Sequence, residues 1–410
     1  MTDQTTAGVT DVTAAASVPA YPFHRPSALD PSPDYARLRA TCPVASVTMP
    51  SGDQGYLVCT YDEVRTVLSD PRFSRAATLE PGAPRLGKAP QRFKSLLNMD
   101  PPEHSRVRRL VSREFTARRV AALRPRIQER TDELLDAMEQ AGPPVDLVPQ
   151  FAFPLPVAII CELLGVPAAD RELFSGWSAA FLSTSELPAV EVLAAQAALR
   201  EYMTGLVAGK RANPAEDLLS ALVGVHDQDD GSLDEEELVF LGVSLLVAGH
   251  ETTANQLSNC VFALLTRHRE LRGLLSAPDT AQRAVEELTR LYPPGDEALL
   301  RIAVEDVMLG DTLVPAGSAV LPSLGSANRD EDRFDGADEP RPDRPANPHL
   351  TYGHGAHYCV GSALARAELD IALTSLFARF PELRAVDAGA SAPRAAGRLV
   401  HGVASLPVAW

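Results

Sequence analysis

The sequence predicts a mainly α fold with a smaller β portion, and three observations carry that prediction. Apolar residues recur at spacings of three and four through most of the chain after Tyr61. The stretch from Leu238 onward is apolar on nearly all sides, the mark of a helix buried at the centre of its fold. Strand-like alternation is limited to VASVTM (44–49), GYLVCT (55–60) and the region from Arg301 to Leu324. With 410 residues, 45% hydrophobic and 22% charged, the chain can bury a core without staples. Length alone allows two or three domains, but no repeat or linker divides the sequence, so residues 31–410 are expected to form one unit.

Residues 1–30 are rich in Ala, Thr and Pro and are expected to form a mobile arm. They show no basic and then apolar signal pattern, so a cytoplasmic protein is expected. A short amphipathic segment, Tyr35 to Thr41, precedes the two β-like runs, and PSGDQ between those runs supplies the turn of a hairpin. Helical periodicity follows in DEVRTVLSD, RRVAALRPRIQERTDELLDAMEQ and PAVEVLAAQAALREYMTGLVAG. Residues 75–97, rich in Pro and Gly, read as a long loop within a compact fold, and such loops tend to be functional. The central helix is expected to start at Ser232, with Ser232 and Glu235 as a capping box. Its apolar run, Leu238 to Gly249, is too short to span a bilayer, so no membrane is expected.

The formal net charge of −16 argues against nucleic acid as a partner. Five cysteines, Cys42, Cys59, Cys161, Cys260 and Cys359, are dispersed and form no CxxC pair, which argues against a disulfide framework and structural zinc. Four sit among apolar neighbours, as small buried hydrophobes do. Cys359 differs, because its flanks, YGHGAHYCVG, are rich in Gly and His. Glycines permit a tight turn and leave main-chain N–H groups free to point at a sulfur anion, and a helix follows from about Ser362.

Tyr352, Gly355, His357, Cys359 and Gly361 resemble the haem-binding loop of the cytochrome P-450 family, FxxGxxxCxG, with Tyr352 in place of Phe. The resemblance implies that the Cys359 thiolate is the axial ligand of haem b, whose electron donation favours O–O cleavage. The haem would lie between the central helix and the helix of the cysteine loop. A hydrogen bond from the Tyr352 hydroxyl to the sulfur or a loop carbonyl is expected to tune the reduction potential.

Within the central helix stands Ala248-Gly249-His250-Glu251-Thr252-Thr253. A buried acid beside an alcohol is costly, so a use is expected. Gly249 weakens the helix where a groove for a diatomic ligand would open. The competing arrangement is a Thr252 hydroxyl bonded back to the Ala248 carbonyl, with Glu251 reaching solvent. The motif is similar to the family's acid–alcohol pair, which implies that Glu251 and Thr252 deliver protons to bound dioxygen. His250 is expected to face a neighbouring helix.

Further resemblances follow in family order between residues 98 and 368. His104 and Arg108, four apart on one helical face, with Arg301 and His357, occupy the family's positions for propionate donors. Glu287 and Arg290 in AVEELTRLYPP match its ExxR pair, with Arg341 as a third member, a structural set that fixes the segment before the cysteine loop.

The chain has no flavin, dinucleotide or ferredoxin fingerprint, so electrons are expected from a separate ferredoxin and ferredoxin reductase. Arg106, Arg109, Arg113, Arg118 and Arg119 form either a docking patch or a solvated helix face. The resemblance implies a monomeric monooxygenase that hydroxylates or epoxidises a hydrophobic small molecule, such as a polyketide, macrolide or terpenoid. Asp296 and Glu297 either line the substrate cavity, where they would pair with a basic group, or turn to solvent. The rival readings are a peroxide-driven or oxidative-coupling haem-thiolate enzyme and a non-catalytic haem sensor; the paired Glu251 and Thr252 speak against both.

Overall fold

The computed structural model describes residues 18–90, 93–228, 233–386 and 397–410, without the side chain of residue 172. Its axis is the helix Glu235–Thr266, buried from Leu238 to Val247 and again from Thr253 to Leu265 apart from Asn255. Each such Leu or Val contributes about 1.5–3 kcal/mol by leaving water. The helices Pro154–Leu164, Ala189–Ala212, Pro278–Leu291 and Ser362–Arg379 pack around it. The cap is Asp234: its carboxylate accepts from the Glu237 N–H at 2.7 Å, and Glu237 accepts from the Asp234 N–H at 3.0 Å. Ser232, the expected cap, lies outside the described residues. Two capping patterns overlap in SLDEEE, and Glu237 is anchored a second time by an ion pair with Arg106.

The β portion is a five-stranded sheet in the order Val44–Thr48, Gln54–Val58, Ala319–Pro322, Arg301–Ala303, Phe73–Ser74. The first two strands form the expected antiparallel hairpin, Val44 opposite Val58, and Gln54–Val58 runs parallel to Ala319–Pro322. Residues 18–30, expected within the mobile arm, are packed. Tyr21 donates its N–H to the Thr48 carbonyl at 2.8 Å, Leu29 is buried, and Arg25 pairs with Asp296. Composition concealed these anchors, whose partners lie far along the chain.

Glu287 and Arg290 form a buried bidentate pair at 2.9 and 2.8 Å. Arg290 also donates to the carbonyls of Asn328, Ala337 and Glu339, at 2.8, 2.6 and 2.9 Å. The third guanidinium is that of Arg344, 3.3 Å from Glu287, and not that of Arg341. Arg341 offers Glu287 only its main-chain N–H, at 2.7 Å, and turns its side chain to Asp335 at the surface. A parallel set ties the cysteine-loop helix to the same framework: Arg366 and His349 both bond Glu286, at 2.7 and 3.0 Å.

Candidate active site

The loop before Ser362–Arg379 needs glycine at two places. Gly353 and Gly355 have φ of +74° and +70°, and a Cβ on Gly355 would stand 2.6 Å from the Leu68 carbonyl oxygen. Closed by a bond from the Cys359 N–H to the Tyr352 carbonyl, 2.8 Å, the loop turns the sulfur into an internal cavity of about 280 Å³. Cys359 is exposed only in the sense that it faces this space. Burial pushes its thiol up, while the Gly361 N–H and the Arg108 and Arg366 charges oppose that effect. Gly361 thus contributes a main-chain donor. The Tyr352 hydroxyl does not make the expected hydrogen bond: among the described residues it has no partner, and the Tyr352 ring instead lies under the Arg366 guanidinium at 4.2 Å.

Across the cavity stand Val247, Ala248 and Thr252 of the central helix. The Thr252 hydroxyl donates to the Ala248 carbonyl at 2.6 Å, the competing arrangement, while the residue lines the cavity. Glu251 does not reach solvent freely; it is 6% exposed. Burial pushes its carboxyl up to about 7, opposed by Arg398. An acid held there can give and take a proton near neutrality. The helix does not widen at Gly249. A Cβ at that position would lie 2.6 Å from Ile160 Cδ1, so this glycine serves the close approach of Pro154–Leu164 and not the cavity. His250 faces neighbouring helices, as expected: Nδ1 bonds the Leu246 carbonyl at 2.7 Å, and the edges of Phe153 and Phe174 enclose the ring.

One wall of the cavity is cationic. Arg301 and His357 line it, the His357 ring lies 4.3 Å from that of His104, and Arg108 reaches the Tyr358 carbonyl at 2.5 Å. Arg75, which the sequence reading missed, lies on the same wall, 3% exposed. None of these five side chains forms an ion pair with a described residue. Burial and mutual repulsion push His357 down to about 2, and burial lowers Arg75 to about 9 and Arg301 to about 10. His104 Nε2 is buried without a partner among the described residues. So many crowded donors require an anion, and the propionate edge of a haem fits that requirement, as the soft sulfur opposite fits its iron.

The remaining wall is mostly apolar, and Glu297 is its one acid among the described residues. That carboxylate lies on this cavity and on a neighbouring one, and accepts from the Tyr21 hydroxyl at 2.8 Å. Asp296 lines the neighbouring cavity and not this one, paired with Arg25. Leu182 and Leu399 close the chamber from two distant loops. The Leu399 N–H donates to the Leu182 carbonyl at 2.9 Å, and the Gly397 carbonyl accepts from Thr184, Ser185 and Glu186 at 2.8, 3.1 and 3.3 Å. Outside this seam Arg398 pairs with Glu186. Of the arginine patch, Arg109, Arg113, Arg118 and Arg119 are exposed, whereas Arg106 is committed to Glu237.

The family model for Cytochrome P-450 matches residues 280–385, from the Glu287–Arg290 pair through the cysteine loop. The chain is 47% identical over 392 residues to Nocardicin C N-oxygenase of Nocardia uniformis subsp. tsuyamanensis, covering 95% of this chain and 98% of that protein. It is also 47% identical over 393 residues to Mycinamicin IV hydroxylase/epoxidase of Micromonospora griseorubida, with the same coverage. A solved structure, the LnmA hydroxylase from the leinamycin biosynthetic pathway of Streptomyces atroolivaceus, superposes with a TM-score of 0.85 at 44% identity, over 96% of this chain and 100% of that one. No helix among the described residues is long and apolar enough to cross a membrane.

Proposed function

The chain belongs to the cytochrome P-450 family, and from that premise we propose that Cys359 ligates the iron of haem b in a monooxygenase. One oxygen atom of dioxygen enters a hydrophobic small molecule, by hydroxylation or epoxidation. The reaction is a tailoring step in secondary-metabolite biosynthesis, as the names of the nocardicin and mycinamicin relatives suggest. The observation that carries this reading is that Cys359 and Thr252 line one apolar cavity with a cationic wall.

When bound, haem supplies redox chemistry at its iron, made more electron-rich by the thiolate. His104, Arg108, Arg301 and His357 hold its propionates, which relieves the crowding of these donors. Glu251 takes protons from the side on which Arg398 lies and passes them to Thr252, whose hydroxyl turns from the Ala248 carbonyl into the cavity. Ala248, Val247 and Leu399 exclude water and select an apolar substrate. Electrons arrive from a separate ferredoxin and its reductase at the exposed arginines.

The purified protein, reduced and exposed to carbon monoxide, should show the red-shifted Soret band of thiolate coordination, and Cys359→Ser should lose it. Wild-type protein without that band refutes the reading. A library of hydrophobic molecules screened for low-to-high-spin shifts then identifies the substrate. Product formed with ferredoxin, reductase and oxygen, compared with peroxide alone, separates a monooxygenase from a peroxide-driven enzyme.

A further inference from the structure

Arg75 is placed to do two things at once. It follows the edge strand Phe73–Ser74 and opens the 75–97 loop. Its main-chain N–H donates to Asp100 at 2.9 Å, and the N–H of Ala76 and the hydroxyl of Ser74 converge on the same carboxylate. Its Nε donates to the Leu97 carbonyl, 2.7 Å, at the far end of the loop. A terminal nitrogen reaches the Leu300 carbonyl next to Arg301. The residue therefore staples both ends of the loop to each other and to the strand that carries Arg301.

The same guanidinium lies on the cavity wall beside Arg301, with no ion pair to a described residue, and on a second cavity of about 170 Å³ beneath the loop. Carbonyl oxygens satisfy part of a guanidinium's hydrogen-bonding need but none of its charge. The Asp100 carboxylate acts on both Arg75 and Arg301, but one carboxylate, already held by two main-chain N–H groups and the Ser74 hydroxyl, does not offset two buried cations, and the anionic edge proposed for this wall supplies the second charge.

The geometry points to Arg75 as a positioning residue that couples the cofactor's anionic edge to the order of the 75–97 loop. The inference rests on the haem reading of the cavity. Cofactor charge fixes the guanidinium, and the guanidinium fixes the two ends of the segment that roofs the second cavity. Loop order and cofactor retention thus both draw on this one side chain in the holoenzyme.

Three holoenzyme variants test this. Haem transfer to excess apomyoglobin and amide exchange across residues 76–90 are measured for each in the ferric state. Arg75→Met should lose haem about tenfold faster, the loss of one charge-assisted contact, and should exchange faster across the loop. Arg75→Lys keeps the charge but cannot bond the Leu97 and Leu300 carbonyls together, so it should restore haem retention and leave the loop fast. Arg108→Gln removes a cation from the same wall without touching the loop, so it should speed haem loss alone. If Arg75→Met changes only one of the two readouts, or Arg108→Gln loosens the loop equally, the coupling is overturned. Should Arg75→Met fail to fold, the divergence expected of Arg75→Lys still decides the matter. A wild-type protein lacking the thiolate Soret band would instead refute the haem reading itself.

Discussion

Replacing Glu251 by Gln should stabilise the protein above neutral pH while impairing turnover. The side chain is 6% exposed, and burial raises its carboxyl from 4.5 to about 7, so the folded state prefers the protonated acid. For a group raised in this way, the contribution to stability is complete below the unfolded value of 4.5. It is lost as pH climbs through about 7. Across that window the loss amounts to about 3 kcal/mol, at about 1.4 kcal/mol per pH unit. Gln has nearly the same shape and is neutral at every pH, so Glu251→Gln escapes the loss. Denaturant midpoints of both proteins at pH 5 and pH 8 measure it: the variant's advantage should be about 1 kcal/mol at pH 5 and about 3 kcal/mol at pH 8. Product formed per electron pair should fall about 10²-fold or more, with the missing electrons recovered as peroxide. A variant whose advantage does not widen between those pH values would refute the argument that burial governs this carboxyl.

Three other outcomes are expected. Gly249→Ala drives a methyl to within 2.6 Å of Ile160 Cδ1 and 2.7 Å of Ile160 Cγ1 and should cost about 1–3 kcal/mol in denaturant unfolding, which Ile160→Val should leave largely in place because valine keeps the second of those carbons. Arg344→Met should lower stability and haem retention because it strips a charge from buried Glu287, whereas Arg341→Ala, which keeps its main-chain bond, should lie within about 0.5 kcal/mol of wild type. Charge reversal at Arg109 and Arg113 should slow reduction by ferredoxin in stopped flow, less so at high salt, while substrate spin shifts stay unchanged.

The mainly helical fold, the hairpin and the buried central helix were legible because each rests on short-range periodicity. Residues whose partners lie three or four positions away, such as Glu287 and Arg290, were equally readable. Cys359 stood out through its glycines, two of which the loop geometry demands. What escaped is long-range. Arg75 finds Leu300, Arg366 finds Glu286 and Arg344 finds Glu287 only once the chain has folded, and no spacing rule links them. A sequence offers several arginines of equal standing in ANRDEDRFDGADEPRPDRP, which is why Arg341 stood in for Arg344. Gly249 was assigned to ligand space because a glycine in a helix has two uses, and only the position of Ile160 separates them. Asp234 and Ser232 present the same capping spacing two residues apart.

The seam between Leu182–Glu186 and Gly397–Leu399 makes the last part of the chain a wall of the chamber. The strand Pro407–Ala409, paired with Val145–Asp146 and Arg384–Ala385, tethers the Gly397 segment from beyond. Gly397 itself has φ of +74°, and a Cβ there would lie 2.7 Å from Ser185 Oγ, so the latch tolerates no side chain. Loss of the pairing of Pro407–Ala409 would therefore loosen a wall of the chamber while leaving the cysteine loop, closed by its own bonds, in place.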